Sequence, residues 1–243
     1  MNENANAQAG IFGKLPTLGD FVTRRLPVSL VEPWDLWLQN ALSDSRDQLS
    51  DDWLDIYLTS PIWRFVLSPS VVDQSAWAGI LMPSVDRVGR YFPLTLAAPL
   101  RPNDTVLRVM TEENDWFNAA EALLLSCLET DFDMEGFDQH LASLGVPSSV
   151  SADDGGSPLP TTAEQPTATA WRIATSGNAN IDAASLPLLG QTLSELFFAY
   201  SLWWTDGSER ISPSLLACQG LPPIHGYCAM LAGDWKRGGW QES

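Results

Sequence analysis

Histidine and cysteine are scarce in this chain, and their scarcity argues against several kinds of site. Only two histidines and three cysteines occur among 243 residues. Neither His140 nor His225 has a second Cys or His at ligand spacing, so no transition-metal site is predicted. The cysteines are odd in number and widely spaced among apolar neighbours, which is typical of reduced, buried thiols rather than of a disulfide framework.

Positive charge is also in short supply. The chain has 13 Lys and Arg against 30 Asp and Glu, for a net charge of −17. Residues 102–171 contain 13 acidic residues and one basic residue, which argues against nucleic acid or an anionic membrane as the partner of that segment. We expect a solvated acidic face there, with docking to a basic partner as the alternative.

Hydrophobic runs of membrane-spanning length are missing. The longest candidate, residues 186–204, is interrupted by four polar residues, namely Gln191, Thr192, Ser194 and Glu195. The first residues have neither the basic nor the apolar region of a secretory signal. The sequence therefore predicts a soluble protein, located in the cytoplasm.

Apolar residues are plentiful by contrast. They make up 45% of the chain, which is typical of a folded protein with a sizeable core. Eleven tryptophans are expected mainly in that core, because large aromatic side chains bury much area. The alternative is a platform on which a sugar or a peptide stacks.

Two apolar runs around a charged loop form the centre of the predicted fold. Residues 76–82 and 91–98 are short and almost wholly apolar, as in strands of a sheet that is covered on both faces. Pro93 cannot donate to a strand ladder, so the second strand is expected to start only at Leu94.

The remaining pattern predicts an α/β protein of the α+β type, with a mainly antiparallel sheet flanked by helices. We expect a disordered tail at 1–9, a β-β-α-β-β-β-α core domain at 10–144 and a flexible linker or loop at 145–168. Residues 169–243 are predicted to form a C-terminal α-β-β-β part packed on the core, whose last strand covers 227–232. The element order of the N-terminal part is similar to that of longin-like or profilin-like domains, which serve as protein-docking platforms.

Known catalytic motifs do not match. Gly10-Ile-Phe-Gly-Lys14 suggests a phosphate loop, but Leu15 replaces the hydroxyl residue that would bind magnesium, so a turn glycine and a surface lysine are predicted instead. No Gly-x-Ser-x-Gly nucleophile elbow is present. A two-carboxylate glycosidase stays open, since acids are plentiful and their distances are invisible in sequence. No cofactor is predicted.

Charged residues at two tight turns are the main candidates for function. They either form an ion-pair cluster that stabilises the loop between the central strands or recognise a partner, because loops on a rigid scaffold are common recognition sites. The acidic helices between residues 115 and 138 are the second choice for recognition. The candidate protein-binding residues are Asp20, Asp86, Arg87, Arg90 and Tyr91.

Several motifs resemble the TagF (ImpM) family of type VI secretion-associated proteins. They are GKLPTLGDFV at 13–22, WDLWL at 34–38, WRF at 63–65, GILMPSVDRVGRYFP at 79–93, SLWWTDGS at 201–208 and GLP at 220–222. The resemblance implies a cytoplasmic, non-enzymatic accessory protein that represses the secretion machine after translation by binding its forkhead-associated scaffold protein. Some family members are fused to a PppA-type phosphatase, which would here be a separate partner.

A hydrolase acting on cell-wall sugar is the competing hypothesis. It would use tryptophan platforms and a pair of acids. An open row of tryptophan side chains beside two carboxylates would favour it.

Overall fold

One antiparallel sheet of seven strands lies at the centre of this computed structural model, which describes residues 8–101, 104–147 and 181–241, the stretch 181–188 by its backbone only. The strands are β1 (Gly10–Lys14), β2 (Phe21–Arg24), β3 (Trp63–Leu67), β4 (Trp77–Met82), β5 (Leu94–Pro99), β6 (Tyr200–Thr205) and β7 (Ser214–Gln219). The helices are α1 (Val28–Leu49), α2 (Trp53–Leu58), α3 (Val106–Glu112), α4 (Asn114–Ser126), α5 (Met134–Leu144), α6 (Ile181–Leu196) and α7 (Tyr227–Ala232). The strand order is β2-β1-β5-β4-β3-β6-β7, with every neighbouring pair antiparallel. The predicted α/β architecture is confirmed.

Helices cover both faces of the sheet. The layer of α1, α2 and α7 closes one core, and the layer of α3 to α6 closes the other. Because side chains alternate along a strand, each central strand contributes side chains to both cores. On β4, for example, Trp77 and Leu81 belong to the first core, whereas Ile80 and Met82 belong to the second. This double coverage explains why the central strands are apolar along their whole length.

Helix α1 buries the apolar stripe that its sequence predicts. Trp34 is almost fully buried, stacks on Trp203 with ring centroids 5.8 Å apart, and donates its indole N–H to the Thr95 hydroxyl at 2.9 Å. A buried indole usually needs such a partner, so Thr95 lets the large ring enter the core without an unpaired donor.

A close approach of strands explains one glycine of β4. Gly79 lies opposite Phe65 of β3 and Ala97 of β5. A side chain at this position would collide with the Leu96 carbonyl oxygen and the Phe65 ring. Strand β5 starts at Leu94, directly after Pro93, as the sequence predicts.

Some predicted elements are wrong. Residues 227–232 form helix α7, not a last strand, so the C-terminal extension is α-β-β-α. A short apolar run does not distinguish a buried helix from a strand by periodicity. Here a 3-10 turn at Ile224–Gly226 leads into the helix, and Gly233 ends it with a φ of 80°. Helix α3 was not predicted at all.

The C-terminal part extends the same sheet. Strand β6 pairs with β3, and β7 then forms the outer edge. Of the predicted tail and linker, only residues 8–9 and 145–147 are described, and the rest lie outside the described residues. Over the described ranges, no helix combines the length and the apolarity that crossing a bilayer requires.

Candidate protein-binding site

Two connected loops meet at one end of the sheet. Residues 15–21 link β1 to the start of β2, and residues 83–93 link β4 to β5, so both leave the sheet at the same end. The Arg87 backbone N–H donates to the Leu18 carbonyl oxygen at 3.0 Å, and the Arg90 guanidinium donates to the Gly19 carbonyl oxygen. These two segments together are called the two-loop surface below.

Asp86 is the buried centre of the longer loop, with only 3% of its surface exposed. Its Oδ1 accepts the backbone N–H groups of Val88 and Arg90 at 3.0 and 2.9 Å. Its Oδ2 accepts Lys14 Nζ and Arg90 Nε, both at 2.7 Å. Burial by itself would raise the pKa of the Asp86 carboxyl, but these four hydrogen bonds outweigh burial and hold that pKa well below its usual range.

Lys14 corrects one prediction. The sequence predicted a surface lysine, yet Lys14 is buried and its ammonium group pairs with Asp86. Strand β1 lies between β2 and β5, and all five of its residues are buried because both faces of the sheet are covered by helices. The ammonium group also lies 5.0 Å from the centre of the Phe21 ring, a cation–π distance. Lys14 therefore acts as the buried counter-ion of the loop.

The base of the loop is fixed by hydroxyl groups. The Tyr57 hydroxyl accepts the Ser84 backbone N–H and donates to the Ser84 carbonyl oxygen, each at 2.9 Å. The Ser84 hydroxyl donates to the Lys14 carbonyl oxygen at 2.7 Å. Tyr91, a predicted site residue, is half-buried and packs edge-on against Trp53 and Tyr57 at 5.9 and 6.0 Å. Tyr91 therefore supports the loop from below.

The other predicted residues are exposed. Arg87 has no hydrogen bond or ion pair to its guanidinium group within the described part of the chain. Asp20 accepts only the N–H of its neighbour Phe21, at 2.8 Å, and pairs with neither arginine in the residues described. Arg90 is bound along one edge, although 58% of its side chain is exposed. The structure thus brings Asp86 and Arg90 together, but leaves Asp20 and Arg87 apart from that ion pair.

Sequence reasoning missed two apolar members of the surface. Val88 is 66% exposed at the tip of the longer loop. Phe21 is 44% exposed although its ring contacts Phe12 and Phe92 at centroid distances of 5.8 and 4.9 Å. The usable signal was their position within the two turns, since an apolar residue beside charged turn residues is a candidate contact.

Sequence reasoning also missed a buried arginine on the face of the sheet that α3 to α6 cover. Arg64 of β3 is only 8% exposed and binds Glu121 of α4 at 2.9 Å. Its guanidinium also donates to the side-chain oxygens of Asn114 and Asn118, both at 2.9 Å. The helix residues are spaced i, i+4 and i+7, so they share one face of α4. The network ties that helix to the sheet and has a structural role.

The tryptophans line the cores. Seven of the ten in the described residues are buried and the other three are half-buried. They pack against each other and against other aromatic rings, so an open sugar-stacking row is not formed by this part of the chain. Within the same residues, no three His, Cys, Asp or Glu side chains are grouped as a metal ion would require.

Comparisons with known proteins place the two-loop surface inside a matched domain. A family model for the N-terminal domain of TagF, described as type VI secretion system-associated, matches residues 10–144. The crystal structure of PA0076 from Pseudomonas aeruginosa PAO1 is similar to this chain, with 41% sequence identity and a TM-score of 0.75. That match covers 93% of this chain and 94% of the other. No curated protein matches the chain.

Proposed function

Since the chain belongs to the TagF family of type VI secretion system-associated proteins, we propose that it represses such a system after translation by binding a forkhead-associated scaffold protein in the cytoplasm. The repressor has no catalytic role in this proposal. A PppA-type phosphatase would be a separate protein that acts on the same secretion system.

The observation that carries the proposal is an exposed recognition loop on a rigid base. Arg87 and Val88 project from the longer loop, while the buried Asp86 fixes the backbone beneath them through four hydrogen bonds. A preorganised loop loses little conformational freedom on binding, so more of its contact energy becomes affinity. Binding residues are found disproportionately on loops that a rigid scaffold holds in place.

Repression then follows from differential affinity. A protein that binds the scaffold only in a form unable to assemble shifts the population toward that form, by no more than its preference between the two forms. This mechanism needs no chemistry from the repressor. It requires only that the bound scaffold surface be inaccessible to the other components.

The test is direct binding, measured by isothermal titration of the purified chain with the scaffold protein of the same secretion cluster. We expect saturable binding by the unchanged chain and binding weakened at least about tenfold by Arg87→Ala, because charge-assisted hydrogen bonds typically contribute about 1.5–3 kcal/mol. The matched control is Arg101→Ala, which removes an exposed arginine just beyond β5, at the other end of the sheet. Normal binding by Arg87→Ala would move the interface elsewhere, and no binding by the unchanged chain would refute the proposal.

The described residues lack the feature expected of a hydrolase of cell-wall sugar. Its expected feature was a row of open tryptophan side chains, and those in the described residues pack into the cores. No specific observation favours it over the regulator.

A further inference from the structure

We propose that the two-loop surface binds a carboxylate-rich segment that also carries an aromatic or aliphatic anchor. The inference rests on the proposed function, because it names the chemistry of the scaffold segment that would dock. It is carried by three observations: two arginines beside one glycine, an exposed phenylalanine with a fixed ring, and a positive site on a negative chain.

Both guanidinium groups lie near Gly19. Arg90 reaches its carbonyl oxygen, and the Arg87 guanidinium lies 3.5 Å from where a Gly19 side chain would begin. Arg90 uses its Nε for Asp86, and its Nη1 has no partner among the described residues. Guanidinium groups match carboxylates in planar, two-point geometry. Gly19 leaves the space beside the Arg87 guanidinium clear of a side chain.

An apolar contact lies beside these cations. The Phe21 ring is stacked on Phe12 and set edge-on against Phe92, which fixes its orientation while almost half of the residue stays exposed. Val88 adds a second exposed apolar side chain on the neighbouring loop. A held aromatic ring is a good anchor surface because it loses little rotamer freedom on binding. We therefore infer one apolar side chain near the carboxylates of the docking segment.

Charge selects against other segments. Within the two-loop surface, Asp86 is neutralised by Lys14 and Arg90, and Asp20 is the one exposed carboxylate. Lys14, Arg87 and Arg90 together outnumber Asp20 and Asp86 by one, so this region has a net charge of +1 on a chain whose net charge is −17. The rest of the chain repels an acidic segment, whereas the same segment is attracted here. This difference in charge would direct an acidic segment of the partner to the two-loop surface.

The first experiment compares charge reversals by isothermal titration with the scaffold protein at roughly 0.05 M and roughly 0.5 M salt, where screening differs strongly. Arg87→Glu is expected to lower affinity by about a hundredfold at low salt, since it loses an attraction and adds a repulsion. Arg101→Glu makes the same charge change at the other end of the sheet and is expected to bind within about twofold of the unchanged chain, as surface changes away from a contact have small effects. Unchanged melting temperatures confirm that both variants fold.

Hydrogen exchange on the scaffold then identifies the protected segment. A segment rich in Asp and Glu with an aromatic or aliphatic residue supports the inference. Two results would overturn the inference and leave the proposed function intact. One is scaffold binding that changes neither with salt nor with Arg87→Glu, and the other is protection of a basic or neutral segment. Loss of all scaffold binding by the unchanged chain instead refutes the proposed function.

A probe peptide tests the surface without the scaffold. Acetyl-Asp-Glu-Phe-Asp-Glu-amide is titrated into the isotope-labelled chain, with acetyl-Asn-Gln-Phe-Asn-Gln-amide as the uncharged control. The acidic peptide is expected to shift the backbone amide resonances of Gly19, Phe21 and residues 87–90, and the control to leave them in place. Equal shifts from both peptides, or shifts confined to other regions, would overturn the charge-based recognition.

Discussion

Replacing Arg87 and Arg90 one at a time by alanine is expected to separate recognition from folding. The residues are three positions apart in one loop and carry the same charge, yet their contacts differ. Arg90 donates to the buried Asp86 carboxylate at 2.7 Å and to the Gly19 carbonyl oxygen, whereas the Arg87 guanidinium has no partner in the described residues. Arg90→Ala should therefore destabilise the fold, and Arg87→Ala should leave it unchanged.

The size of the difference follows from these contacts. A fully buried hydrogen bond to a charged group contributes about 1.5–3 kcal/mol to the free energy of unfolding. Arg90 makes two charge-assisted contacts, but 58% of its side chain is exposed, so water replaces part of each and we expect a loss of about 2 kcal/mol. For a chain of this length, that loss lowers the melting temperature by about 4–8 °C. Arg87→Ala should stay within about 0.5 kcal/mol, or about 2 °C.

Differential scanning calorimetry measures the stability of the two variants, and isothermal titration with the scaffold protein measures their binding. The expected pattern is a stable Arg87→Ala that binds weakly and a less stable Arg90→Ala. A melting temperature of Arg90→Ala equal to that of the unchanged chain would refute the assignment of Arg90 to the buried ion pair. A drop for Arg87→Ala as large as that for Arg90→Ala would show that Arg87 also supports the fold.

Three further changes test the buried groups. The pKa of Asp86 is lowered in the folded state, so its contribution to stability is fully present above the unfolded pKa of about 3.9 and is lost as the pH falls below it. In urea unfolding from pH 7 to pH 3, the difference in free energy of unfolding between the unchanged chain and Asp86→Asn should stay constant down to about pH 5 and shrink below about pH 4. A difference that already shrinks near pH 6 would contradict this. Gly79→Ala should lower the soluble yield and reduce the free energy of unfolding in urea by at least about 3 kcal/mol, because the new side chain collides with the neighbouring strands. Gly89→Ala has free space but a φ of 86°, so it should cost about 1 kcal/mol. Equal losses for the two variants would contradict the close approach at Gly79. Burial raises the pKa of the Cys127 thiol to about 12 and that of Cys218 to about 11, so both should react with Ellman's reagent at pH 8 only after denaturation, and rapid labelling of the native chain would contradict their burial.

The sheet and its main helix were predictable because hydrophobic spacing decides them. Strands β4 and β5 appear as apolar runs of strand length, and the stripe through Trp34 and Leu38 of α1 follows helical spacing. Helix α7 was mistaken for a strand because its six residues are almost all buried and so have no polar face to reveal the period. Its identity depends on packing against α1, which sequence spacing does not encode.

The site was predictable only where its partners are close in sequence. Asp86 and Arg90 are four residues apart, so their pairing could be inferred from the turn. The Lys14–Asp86 bond spans 72 residues and exists only because β1 pairs with β5, which places the end of β1 under the loop. A lysine is usually exposed, so sequence reasoning placed Lys14 on the surface. The long-range pairing of strands overrode that tendency.

The burial of Asp86 decides which nearby charges remain available for a partner. A carboxylate removed from water must be compensated, and breaking a buried ion pair is strongly destabilising. Lys14 and Arg90 provide that compensation together with two backbone N–H groups, so neither cation is free to change partners without cost to the fold. Arg87 is exempt from this constraint because its guanidinium has no hydrogen bond or ion pair to Asp86 or to any other described residue. Among the charged residues of the longer loop, Arg87 is therefore the one where a partner can gain a strong contact without weakening the fold.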